Sequence, residues 1–400
     1  MKIVITGASG FVGSMLVPLL AAGGTELVLA GRSPERLKSS YPGHICVSYE
    51  SLPAHCYNAD LLINLAVMNS DQAGEFADFE AVNVQFALQL ARLAATAGIR
   101  RFVNVSSLHA IDPGHQHSYA ATKRLAAEHL KAIDDVEVLN LYLPAIYGDR
   151  WAGRWQFINS LPAFVRPAIS DVLRGLKPTL NVDRLAAFLR LAADGGVEAK
   201  DVILTDGQAR NNFYSISKRT IDIAVFLGIA VLFWWLLLII WIMVKAQSPG
   251  PGIFRQERIG RDGRPFVCYK FRTMEVGTRQ AATHEVSGSS VTRLGHSLRR
   301  YKLDELPQIL NLAKGDMSLV GPRPCLPVQA ELIKARRSNG VLQITPGITG
   351  LSQVQGIDMS HPARLAQEDR KYLDLRCLPL DLKIAVRTIF GSGRGDRVIP

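Results

Sequence analysis

The sequence predicts an α/β chain in two parts: a doubly wound parallel sheet first, then a membrane-inserted helix leading into a mainly helical α+β domain. Three observations carry this expectation. Short apolar runs alternate with helical patterns up to about residue 210, an uncharged apolar run of 22 residues occupies 223–244, and the charge balance changes at that run. Residues 1–217 hold 19 basic and 20 acidic side chains, whereas 218–400 hold 27 and 15. With 400 residues, 48% of them apolar, the chain is long enough for two or three domains with sizeable cores, which excludes disorder and a small disulfide scaffold. Its five cysteines are scattered and odd in number, without the close pairs of metal sites, so a reduced cytosolic setting fits. The opening MKIVITGASG lacks the apolar core of a secretory signal.

In order along the chain, KIVIT reads as a strand followed by a helix to about Ala22. ELVLA and DLLINLA read as strands, Val82–Ala97 as a helix, RFVNVS as a strand, the stretch from Ser118 as a helix and VEVLNLY as a strand. Such alternation argues for a parallel sheet with helices on both faces. The run 223–244 would measure about 33 Å as a helix, against a hydrocarbon thickness of about 30 Å. A core helix is the competing reading, but core helices keep a polar stripe and this run has none. Its middle reads LFWWLL, and Gly228 is its only weak helical position, so propensity predicts a straight, crossing helix. Basic flanks argue otherwise: Lys218 and Arg219 before, Lys245, Arg255, Arg258 and Arg261 after, which favour holding both ends at the cytoplasmic leaflet. Same-side entry and exit is the expectation we carry forward, with domains at 1–212, 213–247 and 248–400.

The first part holds a glycine loop. Gly7, Gly10 and Gly13 in TGASGFVG follow the first strand and open the first helix, where backbone amides, with Phe11 and Val12 between them, can receive a pyrophosphate. At the end of the second strand stand Arg32 and Ser33, and an arginine there suits the 2′-phosphate of NADP better than the ribose of NAD. Tyr119 and Lys123, four apart on a helix, share a face, so the ammonium would lower the phenol's pKa for proton transfer alongside a hydride. Ser107, ending RFVNVSS, would hydrogen-bond the substrate oxygen.

Taken together, GASGFVG, DLLINLA at 60–66, Asn83, VSS at 105–107, YAATK at 119–123 and LPAIYG at 143–148 resemble the extended short-chain dehydrogenase/reductases that act on nucleotide sugars. The resemblance covers about 1–210. It implies a Rossmann fold, a nicotinamide cofactor with Asp60 and Ala66 among its contacts, and catalytic Ser107, Tyr119 and Lys123. Only about 65 residues separate AIYG from the apolar run, fewer than that family's sugar-nucleotide subdomain, and Arg184 stands in NVDRLA where an acid is common. The sugar pocket would then be reduced, or completed by the second part or by a second protomer of a homodimer.

In the second part, Asp304 and Glu305 lie in LRRYKLDELPQ near Arg299, Arg300 and Lys302, a nucleophile and a metal ligand suited to phosphoryl transfer. CYKFRTM with Lys270 and Arg272, GDMSLVGPRP with Asp316 and Arg323, and TPGITG add phosphate-friendly stretches. These, with KRTID at 218–222, IFRQERIGRDGRPFVCYKFRTM at 253–274 and PGITGLSQVQG at 346–356, resemble the bacterial sugar transferases, or monotopic phosphoglycosyl transferases, over about 218–400. That family moves a sugar-1-phosphate from a UDP-sugar to a polyprenyl phosphate, releasing UMP. The resemblance implies Asp304 as nucleophile, Glu305 as Mg²⁺ ligand, and Lys270, Arg272, Arg299 and Arg323 as phosphate-binding residues. Leu351 and Gln355 stand where the family shows Trp and Asn, and the family's Ser-Pro helix break is replaced by Trp234 and Trp235.

The leading reading is a bifunctional enzyme at the inner membrane, both domains on its cytoplasmic face. It would adjust a UDP-sugar by 4-keto reduction or 4-epimerisation and load it onto a polyprenyl phosphate. The alternative keeps the transferase and makes the first domain a non-catalytic, nucleotide-binding regulatory module. Nucleic acid is not an expected partner, because the basic half lacks stacking aromatics and a helix-turn-helix pattern.

Overall fold

A computed structural model describes residues 1–112, 114–151, 153–277 and 291–391. The chain divides into two compact units, one of Met1–Ser170 and Pro178–Asp206, the other of Asp171–Lys177 and Gly207–Pro400.

The first unit is built on seven parallel strands: β1 (Lys2–Thr6), β2 (Glu26–Ala30), β3 (Ile45–Val47), β4 (Leu61–Asn64), β5 (Arg101–Ser107), β6 (Glu137–Leu143) and β9 (Asp201–Ile203). The minor strands β7 (Ala145–Tyr147) and β8 (Thr179–Asn181) pair apart. The order β3-β2-β1-β4-β5-β6-β9 reverses direction between β1 and β4, which opens a crevice at their C-terminal ends. Alternate strand residues feed two cores. Ile3, Ile5, Leu27 and Leu29 join Leu16 and Leu185, while Val4, Val28 and Leu62 join Ala91 and Leu130. Burial on both faces explains the continuous apolar strands.

A polar ladder crosses this apolar sheet. Thr6, Asn64, Asn104, Asn140 and Asp201 stand in register on five neighbouring strands. Thr6 Oγ1 donates to Asn64 Oδ1 (2.9 Å), Asn104 Nδ2 to Asn140 Oδ1 (3.1 Å), and Asn140 Nδ2 to Asp201 Oδ1 (3.2 Å). A one-residue slip would orphan buried amides, so the ladder fixes register where apolar side chains alone would tolerate error. The helix expected over 82–97 begins earlier, at Phe76, and carries a π turn at Ala81–Gln85 before Phe86–Thr96. That turn aims the buried Asn83 at the loop after β4, where its Oδ1 accepts from Met68 N (2.9 Å).

In the second unit the apolar run is two helices, Asn212–Leu232 and Trp234–Gln247, bent by 69°. No single helix among the described residues is long and apolar enough to cross a membrane. The straight helix favoured by propensity is therefore overturned. Phe233 leaves helical geometry (φ −122°, ψ 16°), and the Trp235 indole N–H donates to the Leu232 carbonyl at 3.0 Å. A break thus forms without proline, because an indole replaces a backbone donor that the bend removes. Leu232, Trp234, Leu238 and Ile242 are all exposed along the two arms. The base of the first arm is anchored by Asp222, whose Oδ1 accepts from Leu319 N (2.7 Å) and Ser318 Oγ (3.1 Å).

Beyond the bent pair lie an antiparallel hairpin, β10 (Ile253–Ile259) with β11 (Pro265–Phe271), and a short parallel pair, β12 (Ser318–Val320) with β13 (Gly347–Thr349). Helices Arg293–Arg300, Ile309–Lys314, Ala330–Ser338, Pro362–Leu375 and Leu378–Ile389 complete the unit.

Candidate functional sites

The second unit gathers its charges around one short 3₁₀ turn, Leu303–Gln308. Lys302, just before it, takes the left-handed conformation (φ 54°), a cost that a non-glycine residue bears where the chain must reverse sharply. The turn carries Asp304, buried, and Glu305, half-buried, against β11. Lys270 on β11 donates to Glu305 Oε1 at 2.6 Å, and Arg323 donates to the same oxygen at 3.2 Å. Arg323 is delivered by the loop after β12. Gly321 and Gly347 let that loop meet β13, since a Cβ on Gly321 would sit 2.6 Å from the Thr345 carbonyl oxygen. GDMSLVGPRP and TPGITG are therefore brought together by backbone contact.

Burial pushes the Asp304 carboxyl up, with Glu305 adding to it, while Lys270, Arg299 and Arg323 pull the other way. Burial would raise Glu305 too, but Lys270 and Arg323 overcome it and hold that carboxyl well below the usual carboxylate range. Glu305 is thus a fixed anion, and Asp304 a carboxyl held in tension between burial and three cations. Arg299, whose Nε donates to Thr273 Oγ1 (2.9 Å), takes part through its charge.

Arg272 does not join them. Its guanidinium donates to the carbonyls of Val244, Ser248 and Pro249 and to Ser248 Oγ, between 2.8 and 3.3 Å, so it closes the end of the second arm and is not a phosphate ligand. This corrects the expectation, and the reason is positional: Arg272 lies just beyond the end of β11, where the chain has left the hairpin and the carbonyls closing the second arm capture its guanidinium. Arg258 was missed as a site residue. It lines the same cleft as Lys270, Glu305 and Arg323, and donates from NH1 to the Pro324 carbonyl (3.0 Å) and from NH2 to Gln256 Oε1 (2.7 Å). Alternation puts Gln256 and Arg258 on one face of β10, and the register Gln256↔Cys268 puts them on the face of Lys270. The hairpin pairing needed for that inference was not legible.

No group of three His, Cys, Asp or Glu side chains that could hold a metal exists among the described residues. The adjacent carboxylates nevertheless fit Mg²⁺, which binds through one or two carboxylates plus substrate phosphates and seldom through a protein cage.

In the first unit the glycine loop sits at the β1/β4 crevice. Gly7 is left-handed (φ 72°), and a Cβ there would lie 2.7 Å from Ala66 N; at Gly13 it would lie 2.5 Å from the Ala8 carbonyl oxygen. The loop can thus approach both Ala66 and the helix Phe11–Ala21, whose first-turn amides open on the crevice. Arg32 is exposed after β2. Asp60 is misplaced by the sequence reading. It immediately precedes β4, at the edge formed by the N-terminal ends of the strands, where its Oδ2 accepts from Lys2 N (2.8 Å). The strand DLLIN runs from that edge to the crevice, so only its far end, Asn64–Ala66, faces the cofactor side.

Of Ser107, Tyr119 and Lys123, the first two lie beside one another, while the third is turned to the strand. Ser107 is close enough to Tyr119 to lower its phenol, and the buried Lys123 donates to the Val105 carbonyl at 2.8 Å. The expected lowering of the phenol by Lys123 does not appear: burial raises Tyr119, opposed by Ser107. Burial instead pushes Lys123 down to about 8. The shared helix face was legible, whereas the turn of the ammonium to a strand carbonyl was not.

Residues 213–394 match the family described as "Bacterial sugar transferase", and residues 3–186 match "NAD dependent epimerase/dehydratase family". A UDP-glucose:undecaprenyl-phosphate glucose-1-phosphate transferase of Caulobacter vibrioides is 39% identical over 184 residues, 44% of this chain and 68% of the relative. One of the same description from Escherichia coli is 37% identical over 43% of this chain, which spans only 39% of that relative's length. Among solved structures, the UDP-N-acetylglucosamine 4-epimerase of Bacillus cereus aligns with 55% of this chain and 80% of its own, at 18% identity and a TM-score of 0.41.

Proposed function

The chain belongs to the bacterial sugar transferase family, and from that premise we propose that it transfers a sugar-1-phosphate from a UDP-sugar to undecaprenyl phosphate through a phosphoryl-Asp304 intermediate. The observation that carries this reading is the buried Asp304 beside Glu305, Lys270, Arg299 and Arg323. A carboxylate oxygen of Asp304 attacks the phosphorus that bears the sugar. The Oδ–P bond forms as the diphosphate bridge breaks, and UMP leaves with the bridging oxygen. A phosphate oxygen of the acceptor then attacks the same phosphorus, the Oδ–P bond breaks, and a lipid-linked diphosphosugar leaves with Asp304 restored. Lys270, Arg299 and Arg323 neutralise the donor's phosphates and oppose the burial that raises Asp304. Glu305 would hold Mg²⁺, which would supply further neutralisation of the diphosphate.

The exposed apolar arms and their basic flanks support a bent insertion into the inner membrane from the cytoplasmic side, where UDP-sugars are made and the acceptor phosphate lies at the interface. The first unit binds NAD or NADP at the glycine loop and interconverts sugars at C4 by reduction or epimerisation, the cofactor supplying or accepting a hydride. Tyr119 exchanges the hydroxyl proton, with Ser107 orienting it.

The test is Asp304→Asn, assayed for UMP release with a panel of UDP-sugars and undecaprenyl phosphate. Release should fall by at least about 10³-fold, as for loss of a covalent nucleophile. Undiminished release would remove the nucleophile.

A further inference from the structure

The loop that presents Arg323 is strapped along its backbone. Gly347 N donates to the Pro322 carbonyl (2.9 Å) and Ile259 N to the Cys325 carbonyl (2.9 Å). Between them, two arginines reach in: Arg258 NH1 to the Pro324 carbonyl and Arg336 NH1 to the carbonyl of Arg323 itself, at 2.7 Å. Arg336 is the unexplained member. It projects from the helix Ala330–Ser338, is only 2% exposed, and takes no part in the charge cluster around Asp304. Its remaining donors are committed to one partner, Asp369 Oδ2, at 3.0 Å from Nε and 2.7 Å from NH2. Asp369, from the helix Pro362–Leu375, is 2% exposed and also accepts from Ser352 Oγ (2.9 Å) at its other oxygen.

A fully buried ion pair is a weak source of stability, because desolvation offsets the attraction and an apolar pair of similar volume commonly does as well. What an apolar pair cannot supply is a donor of fixed direction. Arg336, held by two bonds to one carboxylate, has its third nitrogen aimed at a single peptide group. That peptide follows the residue whose side chain reaches Glu305.

We infer that Arg336 and Asp369 are a positioning pair for sugar-phosphate transfer: Asp369 locks the Arg336 guanidinium, which holds the Arg323 carbonyl and so aims the Arg323 guanidinium at Glu305 and the donor diphosphate. This inference rests on the proposed role of Arg323, deepens it, and extends the site to two residues that contact neither substrate nor nucleophile. Misplacing a catalytic group by about 1 Å costs roughly 10²-fold in rate, and that is the scale of effect a positioning pair commands.

The test is a double-mutant cycle in the full-length membrane enzyme, with undecaprenyl phosphate and the UDP-sugar that the wild type turns over best. Arg336→Met combined with Asp369→Leu removes both charges at similar volume, leaves no orphaned carboxylate, and keeps the fold testable by thermal unfolding. The expected result is an unfolding temperature close to wild type with a fall in kcat/KM of about 10- to 100-fold. Arg323→Ala should cost at least as much. Adding the Met/Leu pair to Arg323→Ala should then cost little more, since the pair acts through Arg323. Losses that multiply, or a Met/Leu enzyme with wild-type kcat/KM, would overturn the inference. If the Met/Leu chain does not fold, Asp369→Asn, which keeps a polar acceptor for Ser352 and Arg336, enters the same cycle with the same criterion. An Arg323→Ala enzyme of undiminished activity would instead refute the role of Arg323, a separate outcome.

Discussion

Replacing Lys270 by methionine tests the electrostatic account of the transferase site most directly, because Lys270 is the leading influence opposing burial at Asp304. The Lys270–Glu305 contact is 2.6 Å long between side chains 18% and 16% exposed, so it is a charge-assisted bond in a largely desolvated place. Removing one partner of a buried pair commonly costs about 3–5 kcal/mol, but Arg323 remains on Glu305 and leaves it paired. The loss is then closer to that of one charged hydrogen bond, about 2 kcal/mol. Its sign with pH follows from the depressed Glu305 carboxyl. A depressed acid contributes stability that is present above its ordinary pKa and is lost as pH falls through the folded value. The difference between wild type and Lys270→Met should therefore be full at pH 7 and shrink below about pH 4.5. Asp304 moves the other way: without Lys270 its carboxyl rises further, so more of it is protonated at a given pH. The acid limb of UMP release should shift to higher pH, on top of a lower plateau. Initial rates from pH 5 to 9, paired with thermal unfolding at pH 7 and pH 4, measure both. An unmoved acid limb would refute Lys270 as the leading cation opposing burial at Asp304.

Tyr119→Phe should abolish NADPH oxidation with a UDP-4-keto-6-deoxy sugar and leave UMP release unchanged; cofactor binding without turnover in the wild type would instead favour a regulatory first unit. Gly13→Val drives a side chain into the Ala8 carbonyl and should weaken NADPH binding at least tenfold, read by fluorescence titration. Trp235→Phe keeps the ring and loses the donor to Leu232; in nanodiscs it should lower the unfolding temperature, whereas the same change at Trp234 should not.

How much of this was legible in the sequence depended on how local the physics is. The parallel sheet, its helices and the glycine loop were readable, since periodicity and φ > 0 positions are written within a few residues. The Asp304 cluster was readable in kind, because charged residues recur in motifs, but not in membership. Arg258 joins the cleft for a reason of register, since the pairing of β10 with β11 decides which of its residues face Lys270, while Arg272 leaves it because carbonyls at the end of the second arm, distant in sequence, take its guanidinium. Asp60 fails for the same kind of reason, as strand direction decides which end of DLLIN meets the cofactor. The polar ladder from Thr6 to Asp201 left only isolated asparagines in apolar runs, which a single strand cannot interpret.

The bend at Phe233 is where propensity taken alone misleads. Propensity scales score backbone preference residue by residue, and nothing in LFWWLL breaks a helix by that measure. In an apolar medium, however, the decisive quantity is whether a freed carbonyl finds a donor, since water cannot supply one. Trp235 carries such a donor on its own side chain, three residues from the Leu232 carbonyl that accepts it. A bend can therefore be encoded by a tryptophan placed just after the break as well as by a proline within it. The Trp pair, which counts as two ordinary helix residues on a propensity scale, is the feature that makes the bend affordable where the arms are apolar. With such a bend the apolar run between Lys218 and Lys245 is two arms at 69° and not one straight helix.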